Sequence, residues 1–102
     1  MNIFDLYEWD IETIDEVLSQ YRIKWRDMED KACIKPHKRL MYLSPGHNDL
    51  AVSIMHELGH HIEHEEGIPH RYAHSEIEEM AVDYVSRHPE VKEYLDDYVT
   101  RL

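Results

Sequence analysis

At 102 residues the chain has room for one domain with a modest core, a size at which a bound metal adds useful stability. Its 22 acidic residues against 11 lysines and arginines give a formal charge of −11. That balance argues against nucleic acid, whose phosphates are met by clustered cations, and against an anionic membrane surface.

The chain opens its readable pattern with a helix expected over residues 11–21. Asp10 is its N-cap, and Ile11, Ile14, Val17, Leu18 and Tyr21 share one face. Trp9 and Trp25 are expected to pack at its ends. Residues 31–34 and 39–43 read as two short strands joined by the turn Lys35-Pro36-His37-Lys38. Cys33, in the first of them, is the single cysteine, so no internal disulfide can form and a reducing, cytoplasmic compartment is expected. It reads as a small buried hydrophobe rather than a nucleophile. A hairpin here can either roof the next helix or offer an edge to an extended peptide.

The loop Ser44-Pro45-Gly46-His47-Asn48 leads to a helix running to about residue 66, with Asn48 as N-cap and Asp49 in its first turn. Leu50, Ile54, Leu58 and Ile62 form its apolar stripe. Gly67 supplies a left-handed position after it, and Pro69 prevents continuation. Ser75 with Glu78 fits a capping box, so the next helix is expected to start there. His88-Pro89 ends that helix and Pro89 opens the last one. Val91, Tyr94, Leu95 and Tyr98 then line one face, for the core or for a second copy. No segment reads as a secretory leader or a bilayer span. These elements give a single, mostly helical α+β domain over residues 1–102, with a short β-hairpin before its central helix.

That central helix carries His56-Glu57-Leu58-Gly59-His60. Residues four apart share a helix face, so His56 and His60 can offer two imidazoles to one ion. Catalytic zinc takes three protein ligands and leaves a fourth position to water. Glu57 then stands beside that water as general base. Five residues recur by accident in a chain this rich in histidine and glutamate, so a third ligand decides. Glu79 follows His60 with eighteen residues between them, one turn into the next helix, and Asp83 stands a turn further on. Glu79 supplies the third ligand, and Asp83 can accept the other N–H of a ligand histidine. Asp83 as ligand in place of Glu79 is the rival set. His64 extends the histidine series, but three such residues on a straight helix span about 12 Å, too far for one ion. The loop over residues 67–74 holds Tyr72, His70 and His74, any of which can steady an oxyanion.

His-Glu-x-x-His, eighteen residues, then Glu-x-x-x-Asp resembles the gluzincin metallopeptidases, and the His-Glu-Leu-Gly-His wording is similar to the short phage and mobile-element peptidases of the ImmA/IrrE type. Residues 32–87 cover the pattern. The resemblance implies a zincin-like fold, Zn2+ held by His56, His60 and Glu79, and Glu57 as base, with Tyr72 in a stretch comparable to that of the gluzincin oxyanion residue. The chain departs from the family's Glu-Ala-Asn-x-Phe-Ala wording, having Glu79-Met80-Ala81-Val82-Asp83-Tyr84. It also shows no helix-turn-helix module, so a DNA-binding role is not implied. The expected function is zinc-dependent hydrolysis of a peptide or protein substrate. The alternative is a catalytically silent, acidic zincin-like scaffold that engages a basic partner.

Overall fold

The computed structural model describes residues 1–47 and 49–102; the N-cap expected at Asn48 lies outside the described residues. The chain folds as α1 (Ile3–Leu6), α2 (Ile11–Ser19), β1 (Arg22–Trp25), β2 (Ala32–Lys35), β3 (Leu40–Leu43), α3 (Leu50–Glu65), α4 (His74–Arg87) and α5 (Pro89–Thr100). This is an α+β fold in which helices dominate a small mixed sheet. Among the described residues no helix is long and apolar enough to cross a membrane.

Local chemistry places most boundaries. The Thr13 N–H donates to Asp10 Oδ1 at 2.8 Å and starts α2, as the cap pattern predicts. The helix stops at Ser19, short of Tyr21, because the chain turns into β1. β1 was not legible. It has four residues, three of them exposed, and its partner β3 lies far along the chain. Trp25, expected to pack, is 43% exposed on this strand. The two predicted strands form with a one-turn 3-10 helix, Pro36–Lys38, between them, closed by Arg39 in a left-handed conformation (φ 50°). β3 is central: it pairs in parallel with β1, Arg22 opposite Leu40, and antiparallel with β2, Ala32 opposite Leu43. Among the described residues β2 therefore has one unpaired edge.

The core gathers around α3. Leu50, Ile54, Leu58 and Ile62 are buried as the stripe requires, joined by Ala51 and Met55. α3 packs on β2 on one side and on α4 and α5 on another. α1, which the sequence did not announce, inserts Ile3 and Phe4 fully into this core. Its Asn2 caps it and also donates to the Met80 carbonyl at 2.8 Å, tying the N-terminus to α4. Trp9 does pack as expected, its ring meeting Phe4 edge-on at 5.7 Å.

The contact of α3 with α4 depends on Gly59. A Cβ built there would meet Ile77 Cγ2 at 2.8 Å and Phe4 Cζ at 3.7 Å. Gly59→Ala gains helix propensity of about 0.5–1 kcal/mol, but overpacking a filled core costs about 1–3 kcal/mol. The clash should win, lowering stability in urea by about 1 kcal/mol net. The assignment is checked by a cycle with Ile77→Ala, which removes the clashing methyl. Ile77→Ala should cost less in the Gly59→Ala background than alone. Strict additivity would place the strain elsewhere.

Candidate metal centre

α3 distributes its adjacent histidines to opposite uses. His61 turns inward, its Nδ1 2.6 Å from the Tyr21 hydroxyl and its ring edge-on to Tyr21. Burial pushes its pKa down to about 4, so it is a neutral core histidine. His56 and His60 flank the buried stripe and turn to a cavity of about 610 Å³. Ala32, Cys33 and Ile34 of β2 form one wall of that cavity, and Pro69 and His70 of the loop before α4 form another.

The two imidazoles face one another, Nε2 to Nε2 at 3.1 Å. Each has a carboxylate behind it: Glu78 Oε2 lies 2.7 Å from His56 Nδ1, and Glu63 Oε1 lies 3.0 Å from His60 Nδ1. A carboxylate accepts, so each Nδ1 donates, and in a neutral imidazole that leaves a lone pair on Nε2. Burial holds His60 below the usual histidine range, though Glu63 pulls the other way. Two lone pairs at this distance repel, and either a proton on one ring or a metal ion between them removes the repulsion. Two nitrogens on one tetrahedral zinc, with bonds of about 2.0–2.1 Å, would stand about 3.3–3.4 Å apart.

His74 completes the group. Its ring stacks on His56 at 5.7 Å between centroids and lies 4.7 Å from that of His60. Among the described residues, His56, His60 and His74 are the set whose ligand atoms all fall within 4.8 Å of one another. Glu57, one residue after His56, lines the same cavity. Burial, then the charges of Asp30 and Glu78, push its carboxyl up to about 7, and the Ile34 backbone N–H opposes this in part. His64 borders the cavity one turn beyond His60 but stays outside the close group, as helix rise requires.

α4 differs from the sequence reading in its start, and this changes which side chains face the site. The helix begins at His74, not Ser75, and the capping contact comes from Glu76, whose Oε1 accepts the Ala73 N–H at 3.0 Å. The predicted Ser75–Glu78 capping box is therefore corrected by two residues. Ile77, Ala81, Tyr84 and Val85 are buried and fix the helix rotation. His74 and Glu78, one turn apart, then face α3. Glu79, the expected third ligand, is exposed and borders neither the cavity nor the histidine group. Asp83, expected to steady a ligand histidine, instead accepts from Asn2 at 3.1 Å and Arg87 at 2.9 Å, which hold its carboxyl below the usual range. Tyr72 is half-buried against the core and does not line the cavity, whereas His70 does. The sequence pattern gives Glu78 only a capping role and Glu63 none. The apolar spacing Ile77, Ala81, Tyr84 was the signal that could have oriented α4 correctly.

No family model, no curated protein and no solved structure matches this chain.

Proposed function

We propose that the protein is a small, cytoplasmic zinc metallopeptidase. The observation that carries this reading is the pair of Nε2 atoms set 3.1 Å apart with a carboxylate at each Nδ1, an arrangement suited to a metal ion. His56, His60 and His74 are the proposed ligands, and their nitrogens suit zinc. Zinc held there supplies Lewis acidity and brings the pKa of water toward neutrality. Glu57, on the cavity lining, would take a proton from the attacking water and return it to the departing amine. His70, which also lines the cavity, would donate to the carbonyl oxygen as negative charge develops on it. β2 lines the cavity, and its unpaired edge would align an extended peptide by main-chain hydrogen bonds.

One observation favours the scaffold reading: the formal charge of −11 suits a basic partner. Metal analysis of the purified protein, combined with mass spectrometry of a peptide mixture after incubation, separates the two. The peptidase should hold near one zinc per chain and yield chelator-sensitive cleavage. Stoichiometric zinc without cleavage of any peptide would favour the scaffold.

A further inference from the structure

Glu63 is 3% exposed and uses both carboxyl oxygens. Oε1 accepts from His60 Nδ1 at 3.0 Å, and Oε2 accepts from the Tyr72 backbone N–H at 3.0 Å. Its own carbonyl accepts the Ile68 N–H at 2.9 Å. One residue thus grips a metal-facing histidine and two points of the loop that follows α3. That loop presents Pro69 and His70 to the cavity, and His70 is held at φ 60°, a conformation few side chains adopt. The core itself does not ask for a charge here. An apolar residue would fill the position without desolvating a carboxylate, so its retention needs the partners it meets.

We infer that Glu63 is a positioning residue that couples the cavity loop to the metal centre, an inference resting on the zinc reading above. Metal at His60 Nε2 fixes the imidazole and strengthens Nδ1–H as a donor. The Glu63 carboxylate is then fixed between His60 and Tyr72, and the loop bearing His70 is ordered with it. Glutamine cannot reproduce this. It has one acceptor oxygen, so its amide group would set a donor against either His60 Nδ1–H or the Tyr72 N–H.

The test measures zinc affinity by chelator competition and Tyr72 amide exchange with and without zinc, in wild type, Glu63→Gln and the exposed control Glu66→Gln. Wild type and control should bind alike, and zinc should slow Tyr72 exchange roughly tenfold or more. Glu63→Gln should bind zinc roughly 10–100-fold more weakly, with Tyr72 exchange no longer responding to the metal. Zinc binding within twofold of wild type in Glu63→Gln overturns the inference and leaves the metal site standing. So does wild-type Tyr72 exchange that is indifferent to zinc, a readout that decides the matter even if Glu63→Gln fails to fold. Wild type that binds no zinc overturns the site reading itself, and this inference with it.

Discussion

Glu57→Gln should leave zinc content and thermal stability unchanged while lowering peptide cleavage by roughly 10²–10⁴-fold, the loss expected on removing a general base. The substitution keeps shape and hydrogen bonding but cannot accept a proton. It follows His56 directly on α3, outside the proposed ligand set, so metal binding is not at stake. Stability is not at stake either, because burial beside Asp30 and Glu78 already opposes a charge at this position. Cleavage by the wild type that persists undiminished in Glu57→Gln would point to a contaminant or another mechanism. A wild type that cleaves nothing, with both forms binding a basic partner equally, would support the scaffold.

The second large effect concerns the third ligand. His56→Ala, His60→Ala and His74→Ala should each weaken zinc by more than the roughly 10–100-fold that loss of an outer hydrogen-bond partner costs. Glu78→Ala should fall within that smaller range, because its carboxylate holds His56 Nδ1. Glu79→Ala and Asp83→Ala should bind zinc like the wild type. Chelator competition on the six variants gives the ranking. Zinc lost in Glu79→Ala but kept in His74→Ala would reinstate the ligand set implied by the motif. α4 would then have to rotate, and its stability should change with metal.

α3 was legible because one strong period ran through it. Leu50, Ile54, Leu58 and Ile62 fixed which face is buried, and the same wheel put His56 and His60 together. Gly67 in a left-handed conformation and Pro89 at the start of α5 were legible as single-residue backbone constraints. α4 was harder because two signals competed. A capping-box pattern drew attention to Ser75, and spacing drew it to Glu79. On a helix of 100° per residue, His74 and Glu78 lie roughly 60° and 100° from Ile77, while Glu79 lies roughly 160° away. The rotation was thus written in the apolar residues, but only tertiary packing against Gly59 shows that the Ile77 side is the inward one. β1 and α1 were not legible. Each is four residues long, too short for periodicity, and each forms on partners distant in sequence. The contacts of Glu63 were half legible: His60 precedes it by three residues on one helix face, but the Tyr72 N–H comes from the folded loop.

The short free edge of β2 bears on what such a cavity can accept. Four residues expose few main-chain groups, and at about 0.5–1.5 kcal/mol net per hydrogen bond they offer a docking strand only a few kcal/mol. Immobilising a partner costs at least about 4 kcal/mol. Backbone pairing alone therefore leaves little surplus to prise a segment out of a folded domain. Chains that are already slack, such as tails, linkers and nascent or damaged segments, pay no such unfolding cost. Selection here would fall on how a target is folded before it falls on which residues it carries.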